Sequence, residues 1–214
     1  LMSIKTPLHS KLHSALHSSL ITLPQFGEVA APPAGYTASA TNFDGTNDYM
    51  KRGADLTGAT DGKQFTLSLW INFNGGDAAI QRLCQNTSAH VFVYKQTNNT
   101  IRVRLFNATG TLLADIISIN TFVAASGWLN VLVSVDTAVA NSGYMYINDS
   151  SEVSAYDPLV NDDIDFTDTD WSIGAITTTG GNKINGCLSE FWMEDAYLDL
   201  SVEANRRKIG RAHV

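Results

Sequence analysis

The segment QFTLSLWINF, residues 64–73, constrains this chain more than any other. Phe65, Leu67, Leu69, Ile71 and Phe73 take every second position, with Thr66, Ser68, Trp70 and Asn72 between them. Successive side chains of a strand point to opposite faces, so this alternation predicts a strand with one face in a core and the other turned away from it. TIRVRLFN repeats the pattern, with Ile101, Val103 and Leu105 inward and Arg102 and Arg104 outward. The Asn98-Asn99 pair ahead of it suits a hairpin turn from HVFVYK, and these two segments are expected to pair as antiparallel neighbours.

GWLNVLVSVD (127–136), GYMYIN (143–148), WSIGA (171–175) and CLSEFWMED (187–195) supply four further strands. With FDGTNDYMKR, AIQRLCQ and LLADIISI, about ten strands fit between residues 41 and 195. Only SVEANRRK near the C-terminus has a helical pattern, with Ser201 as the expected N-cap. A chain with so many strands and no helices to cover a sheet folds sheet on sheet, so the class is all-β: a two-sheet antiparallel sandwich with an extended N-terminal arm and a short C-terminal helix. Three stretches follow: residues 1–40 as arm and Pro-rich linker, 41–205 as the sandwich and 206–214 as a basic C-terminal tail.

Charge follows the same division. Of the net −7, the middle stretch carries −12, while Arg206, Arg207, Lys208 and Arg211 close the chain without an acid. A body this acidic repels a phosphate backbone, which argues against nucleic-acid binding. The basic residues at the end are expected to complement a helix C-terminus. No window approaches the roughly 18 consecutive apolar residues that span a bilayer, and the leucines near the N-terminus are interrupted by His, Ser and Lys, so no membrane association is expected. Cys84 and Cys187 lie in different apolar segments without a CxxC partner, and are expected to be free thiols.

The motifs, taken in order, resemble a known family. FDGTNDYM is similar to the opening strand of laminin-G-like, concanavalin A-like jelly-roll modules, through Phe43, Asp44, Gly45, Asp48 and Tyr49. FTLSLWINF resembles the Phe-Thr-apolar-Ser-apolar-Trp strand of these modules, through Phe65, Thr66, Ser68 and Trp70. GWLNVLVSVD with GYMYIND resembles the central strand and the hairpin after it, and INGCLSEFWMEDAYLDL resembles the closing strand, with Ser189 where an Asp is usual and Glu190 kept. The resemblance covers residues 41–209 and implies a jelly roll whose first and last strands pair. It leaves activity open, because the fold serves lectins, adhesion domains and virion proteins alike.

Candidate chemistry is sparse. The related glucanases need two carboxylates on one strand; Glu190 and Glu194 have the even spacing that would place both on one face, but the Glu-x-Asp-x-x-Glu arrangement of those enzymes is absent, and no catalysis is expected. Six Asp in DPLVNDDIDFTDTD invite a calcium reading, yet the loop fails the EF-hand pattern, with Asp168 where its glycine should stand. Asp44 and Asp48 form a second oxygen cluster and are the candidate calcium ligands; no other cofactor is expected. Among the four tryptophans, Trp70 lies on the polar face of its strand and is the candidate for stacking on a sugar ring.

The arm is the least ordinary segment. LHSKLHSALHSSL places Leu8, Leu12, Leu16 and Leu20 on a period of four, ahead of a linker containing Pro24, Pro32 and Pro33. The interleaved histidines have no carboxylate or Cys beside them, so a docking stripe that orders on a partner surface is the preferred reading over a metal strip. Such tetrads ahead of a laminin-G-like module resemble small structural proteins of tailed bacteriophages. The resemblance implies a non-enzymatic decoration, head-fibre or tail-associated knob on the virion surface, anchored to other virion proteins by the arm, oligomeric on the particle and able to bind surface glycans. A receptor-binding lectin at the tail tip is the alternative; a carbohydrate-binding accessory module of a secreted enzyme ranks third, because no catalytic domain accompanies the module.

Overall fold

The computed structural model describes residues 39–156 and 159–210. Thirteen strands run through the described residues: β1 (Thr41–Asp44), β2 (Met50–Lys51), β3 (Gln64–Phe73), β4 (Gln81–Asn86), β5 (Val91–Lys95), β6 (Ile101–Phe106), β7 (Leu112–Ser118), β8 (Trp128–Asp136), β9 (Tyr144–Ile147), β10 (Ser150–Ser151), β11 (Val153–Tyr156), β12 (Trp171–Ile173) and β13 (Asn185–Glu194). One 3₁₀ turn (Ala124–Ser126) and one α-helix, α1 (Glu203–Gly210), complete them. The strands form two antiparallel sheets, a six-stranded one in the order β1-β13-β3-β8-β9-β10 and a seven-stranded one in the order β11-β7-β6-β5-β4-β12-β2. This is the expected two-sheet sandwich, and its first and last strands pair, Thr41 opposite Leu188 and Asp44 opposite Asn185.

The alternation read from the sequence is what holds the sheets together. Phe65, Leu67, Leu69, Ile71 and Phe73 of β3 are at most 1% exposed. They meet Val131, Val133 and Val135 of β8 and, from the facing sheet, Val91, Val93, Ile101, Val103 and Leu105. Burying a side chain of this size contributes roughly 1.5–3 kcal/mol, so β3 alone anchors the six-stranded sheet. The hairpin at Asn98-Asn99 forms as expected: β5 pairs β6 from Val91–Leu105 to Lys95–Ile101, Asn99 takes φ 65°, and Gln96 N–H donates to the Thr100 carbonyl at 2.8 Å. Gly174 sits at φ +92°, where a Cβ would lie 2.8 Å from the Phe43 ring, so the turn after β12 admits only glycine.

Two expectations need correction. Helix α1 begins at Glu203 with Val202 at its N-cap position; the Ser201 hydroxyl instead donates to Asp199 Oδ1 at 2.6 Å, fixing the turn before the helix. Arg206, Arg207 and Lys208 lie inside α1, the helix expected at SVEANRRK. Strands β10 and β11 were absent from the expected set; β10 has two residues and pairs β9 across a turn in which Asn148 and Asp149 take φ 51° and 66°. Among the described residues no helix is long and apolar enough to cross a membrane.

Candidate functional site

The outward residues of the six-stranded sheet form rows that follow from its register. One row runs Asn42, Cys187, Asn72, Trp128 across β1, β13, β3 and β8. The next runs Ser189, Trp70, Asn130. The third runs Trp192, Ser68, Leu132, Tyr146, and the fourth Glu194, Thr66, Ser134, Tyr144. The chain after β13 folds back over the third and fourth rows. Thr66 Oγ1 donates to the Ala196 carbonyl at 2.6 Å, Ser68 Oγ to the Ile209 carbonyl at 2.9 Å, and Leu198 N–H to Ser134 Oγ at 3.0 Å. Arg206 of α1 stacks 4.3 Å above the Tyr146 ring and pairs with Asp149 at 2.6 Å. The small polar residues Thr66 and Ser68 are therefore buried on a face that the alternation reads as solvated, because a helix lies on it.

The described part of this cover leaves the first two rows. Trp70 is half-buried there and Trp128, on the neighbouring strand, is 42% exposed, the most exposed indole of the described chain. Amide side chains surround them. Asn130 N–H donates to Asn148 Oδ1 at 2.8 Å, Asn148 Nδ2 to the Trp128 carbonyl at 3.4 Å, and Asn74 Nδ2 reaches Cys187 Sγ at 3.7 Å. The residues of these two rows are uncharged and rich in groups that both donate and accept. Of the other tryptophans, Trp171 is fully buried in the core and Trp192 is half-buried on the third row. Both cysteines are free, Cys84 buried and Cys187 half-buried. Burial pushes the Cys84 thiol up to about 12, which leaves it an inert core residue.

Asp44 and Asp48 do approach one another, but their oxygens serve the turn between β1 and β2. Asp44 Oδ1 accepts from Thr46 N–H at 2.7 Å and Asn47 N–H at 3.2 Å, and Asp48 Oδ2 accepts from Asp44 N–H at 3.2 Å. Those amide donors hold the Asp44 carboxyl below its ordinary range. An open cleft of about 280 Å³ beside them is lined by Asn42, Phe43, Asn47, Asp48 and Tyr49. Among the described residues no group of three or more His, Cys, Asp or Glu converges on a point. The acidic loop likewise distributes its carboxylates: Asp165 to His90 Nδ1 at 2.6 Å, Asp168 to Ser88 N–H at 2.6 Å, Asp170 to Lys51 at 2.6 Å. Each fastens the loop to a different strand end. Leu8, Leu12, Leu16 and Leu20 lie outside the described residues.

A laminin G family model, described as the concanavalin A-like lectin/glucanases superfamily, matches residues 44–200. The chain belongs to this superfamily. Solved structures agree on the fold. The chain is similar to a candidate carbohydrate-binding protein from Bacteroides ovatus, with a TM-score of 0.59 and 14% identity over 80% of this chain and 46% of that one. It is also similar to domains LG4–5 of the mouse laminin α1 chain, with a TM-score of 0.52 and 15% identity over 85% of this chain and 48% of that one. The chain thus spans about half the length of the solved chains it matches. No curated protein matches it in sequence.

The two halves of the superfamily's name pose a chemical choice, and β13 bears on it. The even spacing of Glu190 and Glu194 places both on one face only in a regular strand. The register of β13 against β3 shifts between Ser189 and Trp192, and Glu190 takes φ 53° inside that bulge. Glu194 returns to the outer face opposite Thr66, while Phe191 packs on the core. The extra residue leaves Glu190 outside the regular alternation that its even spacing from Glu194 assumes. What the alternation did not show is Trp128 on the row next to Trp70: that placement depends on the β3–β8 register, which pairs Trp70 with Asn130 and Asn72 with Trp128.

Proposed function

We propose that the chain is a non-enzymatic, glycan-binding β-sandwich carried on the surface of a phage particle by its N-terminal arm. The observation behind glycan binding is that Trp70 and Trp128 occupy adjacent rows of neighbouring strands on the outer face of the six-stranded sheet, opposite Asn130 and Asn72 respectively, with Trp128 42% exposed among the described residues. A pyranose offers one apolar C–H face and a rim of hydroxyls; an indole plane and amides match the two. Membership of a lectin-bearing superfamily supports the same reading, and the missing Glu-x-Asp-x-x-Glu arrangement supports the non-enzymatic part. Attachment to other virion proteins, oligomerisation on the particle and the virion location rest on the leucine tetrads alone.

A glycan array on the isolated protein tests the first part. Trp128→Ala removes a largely exposed ring, so the fold stays intact while affinity for the bound sugar falls roughly 2- to 12-fold, the equivalent of one stacking contact. Binding unchanged by a chelator is expected of contacts made by an indole plane and amides. Equal binding by wild type and Trp128→Ala would remove the indole pair from the site. Deletion of residues 1–38 tests the second part: the truncated protein should stay folded and fail to join the particle.

A further inference from the structure

Lys95 is the last residue of β5 and shares the inward parity of Val91 and Val93, so its side chain ends at the rim of the core beside the Phe73 ring, without solvent exposure. Its neighbours across the ladder, Gln81 and Ile101, carry no charge. Among the described residues its one ion-pair partner is Asp77, whose carboxylate is 3.9 Å away, 46% exposed and held in place by the Ala124 N–H at 3.1 Å. Desolvation holds the Lys95 ammonium below its ordinary pKa, which raises the share of free amine at a given pH. A free amine is a nucleophile.

The group in front of it is a carboxamide. Lys95 Nζ is 2.9 Å from Asn99 Oδ1, and the same atom accepts the Ala78 N–H at 2.9 Å. Two donors on one atom identify it as the amide oxygen. A C=O bond is about 1.2 Å long, so Asn99 Cγ lies within about 4.1 Å of Nζ, and a shift of about 1 Å brings the two to the separation from which attack proceeds. The Ala78 N–H already points at the oxygen on which negative charge would develop. Ala78 holds φ 58°, a left-handed conformation that a residue with a Cβ adopts at a cost.

We propose that Lys95 and Asn99 are a cross-linking pair, the amine condensing with the carboxamide to form an intramolecular isopeptide bond. Nζ forms a bond to Cγ and the Cγ–Nδ2 bond breaks. One proton passes from Nζ to the departing nitrogen by way of the Asp77 carboxylate, and one ammonia is released per chain. Only the unprotonated amine attacks, and the proton carrier is half in solvent, so protein prepared at neutral pH keeps the ammonium and the bond accumulates on alkaline incubation.

The test incubates the full chain at about pH 9 and about pH 6, either side of neutrality, and follows intact mass and tryptic peptides. Loss of one ammonia per chain is expected, at least tenfold faster in the alkaline sample, with trypsin no longer cutting after Lys95 and the loss confined to residues 83–102. Succinimide formation at Asn74-Gly75 or Asn185-Gly186 loses the same mass but leaves Lys95 cleavable, so the peptide map separates the two. Lys95→Met and Asn99→Ala should each abolish the cross-linked peptide; if either fails to fold, the wild-type map decides. Full mass with complete cleavage after Lys95 in the alkaline sample overturns the proposal, as does an ammonia loss at Asn99 that persists in Lys95→Met.

Discussion

Lys95 closes β5 with a side chain that has no solvent exposure. Its ammonium donates to the Gly76 carbonyl at 2.8 Å and to Asn99 Oδ1 at 2.9 Å, lies 5.4 Å from the centre of the Phe73 ring and is 3.9 Å from the Asp77 carboxylate. Lys95→Met keeps the length and removes the charge. Hydrogen bonds to a charged group contribute about 1.5–3 kcal/mol each, most of it felt when the abandoned partner is left unpaired. Neither acceptor would be: Asn99 Oδ1 keeps the Ala78 N–H at 2.9 Å and the Gly76 carbonyl keeps Gln81 Nε2 at 3.0 Å. Methionine also relieves the cost of burying an ammonium and retains a favourable contact with Phe73. The expected loss at pH 7 is therefore about 1 kcal/mol, against about 3 kcal/mol for Lys95→Ala, which adds a cavity. Burial holds the folded pKa of Lys95 below its ordinary 10.5, so above neutrality the unfolded chain binds more protons than the folded one. Wild type should then gain on Lys95→Met as pH rises through the folded pKa, with no further gain above 10.5. Urea melts of the three proteins at several pH values measure all of this. A loss above about 3 kcal/mol for Lys95→Met at pH 7, or a wild-type advantage that shrinks with rising pH, would refute the reasoning.

Two further perturbations test the fold and the arm. In Gly186→Ala the new Cβ would lie 2.3 Å from the Asn72 carbonyl, so the β13–β3 ladder has to move; a loss of about 3 kcal/mol or failure to fold is expected in denaturant melts, and a wild-type midpoint would contradict the register. In the arm, Leu12→Ala with Leu16→Ala should reduce incorporation into particles more than His13→Ala with His17→Ala, scored by the protein content of purified particles; the reverse order would favour a histidine function.

How much was legible in the sequence depends on what each feature needed. Five alternating apolar residues specify β3 locally, and Asn98-Asn99 specifies its hairpin locally, so both could be read directly. Strand β10 has two polar residues, no periodicity to detect, and a turn signal, Asn148-Asp149, that makes sense only once β9 is placed. Thr66 and Ser68 were correctly put on the outer face of β3, but their burial comes from a segment more than a hundred residues later. Bulges were the main obstacle. Arg82 and Gln85 are three positions apart and would face opposite ways in a regular strand; the register shift between Arg82 and Cys84 is what brings both to the outer face. A shift of the same kind in β13 leaves Glu190 at φ 53°, outside the alternation that its spacing from Glu194 assumed.

Strand β5 shows how the outer face of the seven-stranded sheet departs from simple alternation. Every residue of VFVYK is buried, although only Val91 and Val93 of its first four face the other sheet. An antiparallel sheet with no third layer ordinarily alternates apolar inward with polar outward. Here Phe92 and Tyr94 point outward and reach 6% and 8% exposure because arginines lie across them. The sandwich's stability thus accounts for the inward half of β5, and on the outward half the Arg82 guanidinium, over both Phe92 and Tyr94, supplies the cover that a packed layer gives elsewhere.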